Sequence, residues 1–147
     1  MGEEKTWKLE KSLKVEDDQL KTPEHDKLCL WVNEHHYEFM KGCCYDLVWE
    51  RPIINRGFVV GIPDFSLMVT YKYVSDNYRP IAFIEVKPKI KSLGETLRQL
   101  QLYKNTCHIE DIKIILVTKS IEYKDIFESQ GFYFVGVTDE MLMEEKV

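Results

Sequence analysis

The sequence predicts an α/β fold in a single domain, and three observations carry that reading. Thr22-Pro23-Glu24 is a helix start: a hydroxyl N-cap, a proline suited to the first helical position, and a carboxylate that complements the helix dipole. Segments 81–86 (IAFIEV) and 112–118 (IKIILVT) are apolar runs of strand length, as expected of the buried middle of a sheet. Helical segments then alternate with the later strands, an order that lays helices against a sheet. A chain of 147 residues fits one domain, and its 44% hydrophobic content supplies a core.

The elements follow in order. Residues 1–21 alternate Lys with Glu and Asp around Trp7, Leu9, Leu13 and Val15, a charged arm or short amphipathic helix, and the domain proper spans 22–147. A helix over 23–40 places Leu28, Trp31, His35 and Phe39 on one stripe, and Gly42 ends it. A strand over 44–50 stops at Arg51-Pro52. A second, over 58–73, is interrupted only at Gly61-Ile62-Pro63, and Asp76-Asn77-Tyr78 turns the chain toward the third, 81–86, in a tight hairpin. Pro88 closes that strand, and a helix over 92–105 carries Leu93, Leu97 and Leu100. Then come the strand 112–118, a helix over 120–130 stopped by Gly131, a strand over 132–137, and a last helix from Thr138-Asp139-Glu140.

Charge and composition exclude several classes. The formal net charge of −5 rules out a globally basic nucleic-acid coat, though not a local basic patch. No apolar run approaches the ~18–20 residues of a membrane span, and the charged N-terminus has no apolar signal segment, so the expectation is a soluble, cytoplasmic protein with no membrane partner. Cys29, Cys43, Cys44 and Cys107 show no C-x-x-C pair or zinc-finger spacing and read as reduced, mostly buried thiols.

The chemistry concentrates between Gly61 and Tyr103. Pro63-Asp64 precedes the second strand's apolar run, and Glu85-Val86-Lys87 ends the third. Strand periodicity puts Glu85 and Lys87 on one face, about 6.6–7 Å apart, and hairpin pairing brings Asp64 beside Glu85. Two carboxylates so placed repel, and a hard divalent cation with oxygen ligands relieves the repulsion. From Lys87 to Lys104 the charges are Lys87, Lys89, Lys91, Arg98 and Lys104 against Glu95 alone, a local phosphate-binding patch that Lys72 and Arg79 extend. The acidic run Asp139, Glu140, Glu144 and Glu145 should face away from it. No zinc finger, helix-turn-helix or RNA-binding aromatic signature is present, so sequence-specific base readout is not expected.

These residues resemble the PD-(D/E)-x-K nuclease superfamily, whose restriction-endonuclease-like fold has an αβββαβ core with a mixed sheet flanked by helices. Pro63-Asp64 is similar to its second motif and Glu85-Val86-Lys87 to its third, and the resemblance covers roughly 22–137. Gln99 and Tyr103 have the Q-x-x-x-Y spacing of the RecB-like branch, and Gly61 resembles its G-x-x-D form.

The resemblance implies a nuclease hydrolysing phosphodiester bonds of DNA, with RNA left open. Asp64 and Glu85 would bind Mg²⁺ or Mn²⁺ with help from the Val86 carbonyl, Lys87 would position or activate water, and Gln99 and Tyr103 would orient groups or contact phosphate. The first motif, an acidic residue or histidine in the first helix, falls on Glu24, with His25, Glu34 and His35 as alternatives; Glu50 ends the first strand as a further candidate. No iron–sulfur cluster is expected, because no cysteine follows Cys107. Other readings are a Holliday-junction resolvase or transposase-type endonuclease, which normally dimerises, and an inactive nucleic-acid-binding relative. Stand-alone modules of this kind often belong to mobile elements or viruses, archaeal viruses among them, which would place the protein in the host cytoplasm.

Overall fold

The computed structural model describes residues 22–70, 78–106 and 111–144, so the N-terminal arm, Lys72, the turn at Asp76-Asn77, Cys107 and Glu145 lie outside the described residues. In chain order the elements are α1 (Pro23–His35), β1 (Asp46–Trp49), β2 (Ile53–Asn55), β3 (Phe58–Gly61), β4 (Phe65–Thr70) and β5 (Tyr78–Lys87). They continue with α2 (Leu93–Thr106), β6 (Lys113–Thr118), α3 (Lys124–Ser129), β7 (Tyr133–Gly136) and α4 (Asp139–Glu144). Among the described residues, β1, β4, β5, β6 and β7 form one mixed sheet in that spatial order, and β2 and β3 form a separate hairpin. The β1–β4 and β4–β5 pairs are antiparallel; β5–β6 and β6–β7 are parallel. The fold is α/β, a mixed sheet flanked by helices.

The central strands are apolar because both faces are covered. On one face Leu28, Trp31 and Val32 of α1 meet Phe65, Leu67, Ile84, Val86, Ile115 and Val117. On the other, Leu100 and Tyr103 of α2 meet Phe83, Leu116 and Ile53, with Phe127 of α3 alongside. No helix among the described residues is long and apolar enough to cross a membrane.

The structure departs from the sequence reading in four places. The first helix ends at His35 and tightens into a 3-10 turn over His36–Glu38, where the His36 carbonyl accepts a hydrogen bond from the Tyr45 hydroxyl at 3.1 Å. Its apolar periodicity runs on to Phe39, which packs on the core without being helical. The second predicted strand is two elements, because Pro63 separates β3 from β4; β3 instead pairs with β2, across a two-residue turn in which Arg56 (φ 52°) and Gly57 (φ 82°) are both left-handed. The third strand starts at Tyr78 rather than 81, and takes in Pro80 opposite Met68, beside a register shift where a missing N–H is tolerated. Of the thiols, Cys29 is buried as expected, whereas Cys43 and Cys44 are exposed on the connection before β1.

The β2–β3 turn carries a testable cost. Left-handed backbone costs an ordinary residue roughly 1–2 kcal/mol, and asparagine tolerates it better. Arg56→Asn, which creates the preferred Asn-Gly turn, is expected to stabilise the protein by about 0.5 kcal/mol in urea denaturation.

Candidate functional site

The site begins where the antiparallel ladder runs out. β4 and β5 pair Phe65 with Ile84 and Ser66 with Phe83, so the next step of the register sets Asp64 against Glu85. One step further, Pro63 has no N–H to give the ladder. The Val86 N–H turns instead to the Asp64 side chain, donating to Oδ2 at 2.7 Å, the short distance of a charge-assisted bond. N–H and C=O of one strand residue project to the same side, so the Val86 carbonyl also faces Asp64, and Pro63 cannot donate to it. The Glu50 N–H donates to the Asp64 carbonyl at 3.0 Å, tying the end of β1 to the same corner.

The second oxygen of Asp64 meets α1. Thr22 Oγ1 accepts the His25 N–H at 3.1 Å, fixing the helix's first turn, and His25 Nε2 lies 3.1 Å from Asp64 Oδ1. Cys29, one turn on, has Sγ 3.7 Å from Nδ1 and 3.8 Å from Nε2 of His25. Near-equal distances to both ring nitrogens fit a packing contact rather than one directed hydrogen bond. His25, Cys29 and Asp64 nonetheless hold donor atoms within 4.8 Å of one another, a set that could ligate a metal.

Glu85 is held from α2. Tyr103 donates its hydroxyl proton to Oε1 at 3.3 Å, and the Gln99 amide donates to Oε2 at 3.3 Å and to the Tyr103 oxygen at 3.0 Å. A four-residue helical spacing makes this possible, since both side chains then lie on one face. Burial pushes the Tyr103 hydroxyl well above 10, with the Glu85 and Asp64 charges adding in the same direction, so the tyrosine remains a donor. Gly61 is required here by contact: a Cβ at that position would lie 2.5 Å from Tyr103 Cε1. Lys87 Nζ lies 3.9 Å from Glu85 Oε2.

The arrangement therefore unites Asp64, Glu85, Lys87, Gln99, Tyr103 and the Val86 main chain. It does not bring Glu24 to them. Glu24 is exposed and lines a groove between α1 and α4 with Lys27, Glu34, Asp139 and Leu142, because adjacent helical positions point about 100° apart. His35 stacks on Trp31 and bonds its carbonyl at 2.8 Å. The first-helix residue at the site is His25, which the Thr22 cap alone would have favoured no more than Glu24.

Glu50 is the member that sequence reasoning undervalued. It is 3% exposed and left-handed (φ 48°), a conformation that glutamate adopts only under constraint. Arg51-Pro52 signalled a strand end but not a buried acid.

Of the basic residues, Lys89 and Lys91 are exposed on the connection leaving the site, which the Ile90 N–H pins to Ser120 Oγ at 3.0 Å. Arg98 is exposed on α2, next to Gln99. Lys104 sits over the Phe132 ring, 5.8 Å from its centroid, and so belongs to another surface. Arg79 lies six residues from Glu85 along β5, roughly 20 Å away, and does not extend the patch at the site.

Among the described residues the buried His, Asp and Glu side chains are His25, Glu50, Asp64 and Glu85, and all four stand at this corner of the sheet. Comparison with family models, curated proteins and solved structures gives no match.

Two outcomes follow from this geometry. Gly61→Ala is expected to force the Tyr103 ring from its place against Phe83 and to destabilise the protein by about 1–3 kcal/mol, the usual cost of overpacking, read by thermal and urea unfolding. Tyr103, raised above its unfolded value of 10.0, contributes stability that is fully present below pH 10 and is lost as pH rises toward its folded value. Wild type should therefore lose more stability than Tyr103→Phe between pH 9 and about pH 11, measured by denaturation at each pH.

Proposed function

We infer that this chain is a metal-dependent nuclease that hydrolyses phosphodiester bonds, with DNA as the expected substrate. The observation that carries the reading is the burial of Asp64 and Glu85, each 1% exposed, on paired strands with a lysine 3.9 Å from one of them. Buried acids of this kind are costly and are seldom kept for stability alone.

The donor set fits a divalent cation. Asp64, Glu85 and the Val86 carbonyl offer hard oxygens, suited to Mg²⁺ or Mn²⁺. When bound, such a cation supplies Lewis-acid polarisation of a phosphoryl oxygen and makes water more acidic.

The chain's own residues do the rest. Val86 N–H and His25 fix the Asp64 carboxylate from two sides, and Tyr103 and Gln99 fix Glu85, so neither acid must reorganise when substrate arrives. The Lys87 ammonium is placed to orient the attacking water and to offset negative charge growing on the phosphoryl oxygens. Lys89, Lys91 and Arg98 offer backbone phosphates sequence-independent contacts.

The test is an incubation of the purified protein with linear, circular and single-stranded DNA and with RNA, in Mg²⁺, Mn²⁺ or EDTA. Cleavage is expected in Mn²⁺ or Mg²⁺ and not in EDTA. Asp64→Asn, Glu85→Gln and Lys87→Ala, each checked for folding by circular dichroism, should each reduce it by about a hundredfold or more. His25→Ala should cost about tenfold or more, and Glu24→Ala no more than about twofold. Undiminished cleavage in the Asp64, Glu85 and Lys87 variants overturns the assignment.

A further inference from the structure

Beside the carboxylates, on the same face of the same two strands, lies a cleft of about 370 Å³. Its floor is the next register pair on that face, Ser66 and Phe83, continuing to Pro80. Its roof is the β2–β3 hairpin, through Ile53 and Asn55, and Arg51 stands at its edge. Two features mark it as more than a packing gap. The Ser66 hydroxyl is wholly buried in the floor and makes no hydrogen bond among the described residues, a state proteins usually avoid. The Arg51 guanidinium is exposed and anchored 5.3 Å over the Tyr78 ring, which holds a cation at the rim.

We propose that this cleft receives an unstacked nucleobase of the strand whose phosphate lies at Asp64 and Glu85. The proposal rests on the nuclease reading and adds a base-binding subsite to it, where the sequence suggested no base readout. Ser66 is two residues from Asp64, about 6.6–7 Å along the strand, comparable with the span from a nucleotide's phosphate to its own or a neighbouring base. Apolar walls from Phe83, Pro80 and Ile53 suit the faces of a base, and the Ser66 hydroxyl, a donor and an acceptor, suits its edge. Arg51 at the rim matches the adjoining phosphate. A base enters such a cleft only when it is out of a duplex stack, so the preferred substrate is a single strand or an unpaired residue.

The experiment is an abasic scan. A fluorescent single-stranded DNA oligonucleotide, with one abasic residue stepped along it, is titrated with protein in Ca²⁺ by anisotropy, and its cleavage is mapped in Mn²⁺. One position next to the cleaved bond should weaken binding by about tenfold when the base is missing, an effect within the range of base stacking on protein. Asn55→Trp, which fills the cleft from the hairpin, should remove that dependence while leaving the fold intact by circular dichroism. Ser66→Ala should flatten any preference among the four bases at that position. Binding indifferent to the abasic residue at every position overturns the proposal, as does a dependence that survives Asn55→Trp. Cleavage with no abasic dependence defeats the cleft and leaves the nuclease reading intact; abasic dependence without cleavage defeats the nuclease reading and leaves a base-binding cleft.

Discussion

The hydrogen bond from the Val86 N–H to Asp64 Oδ2 is the constraint on which the rest of the site depends. It exists because Pro63, two residues beyond the last paired position, has no N–H to extend the β4–β5 ladder, leaving a strand N–H facing a side chain instead of a backbone. That substitution turns Asp64 inward, and only an inward Asp64 meets His25 of α1. The adjoining residue on β5, Glu85, is meanwhile claimed by α2 through Tyr103 and Gln99. Helices from opposite faces of the sheet thus converge on neighbouring residues at a single corner. A one-residue slip of β4 against β5 would turn Asp64 to the other face and dissolve the arrangement, since side chains alternate along a strand.

The electrostatics of that corner favour function over stability. Replacing a buried charged cluster by apolar groups is often neutral or stabilising, whereas removing one partner leaves the other uncompensated. The structure compensates each acid separately: a backbone N–H and an imidazole for Asp64, a phenol, an amide and an ammonium for Glu85. Tyr103 shows the direction of the strain. Its proton is held tightly because the phenolate would join two carboxylates in a water-poor space, and the same space is where a cation is most strongly attracted.

Much of this was legible in the sequence, for physical reasons that differ by element. Apolar runs at 81–86 and 112–118 are strands because both faces are covered, and periodicity reads that burial directly. Glu85, Lys87, Gln99 and Tyr103 were legible because spacings of two and four are fixed by strand and helix geometry. His25 was not separable from Glu24, since which of two adjacent helical residues faces the sheet depends on how the helix docks, a tertiary fact. Glu50 was obscured for the same reason: its burial follows from its neighbours, with no local pattern to announce it. The net charge of −5 says little about this corner, because Glu50, Asp64 and Glu85 are buried in it while Lys89, Lys91 and Arg98 are exposed on the connection and helix that follow.

The β2–β3 hairpin is the most instructive omission. Arg56-Gly57 lacks the usual Asn-Gly signature, so residues 53–57 carried no strand signal and Phe58 to Gly61 read as the start of one long strand. Once folded back, the hairpin acts at two points. Its last residue, Gly61, allows the Tyr103 ring to come close enough to reach Glu85. Its first strand, through Ile53 and Asn55, closes the cleft whose floor continues the carboxylate pair. A small element outside the main sheet therefore couples the orientation of Glu85 to the shape of the neighbouring cleft, because any shift of the hairpin moves Gly61 against Tyr103 and Ile53 against Phe83 together. Placing the strained turn at the far end, away from both contacts, lets the hairpin tip vary while the residues that touch the site remain fixed by packing.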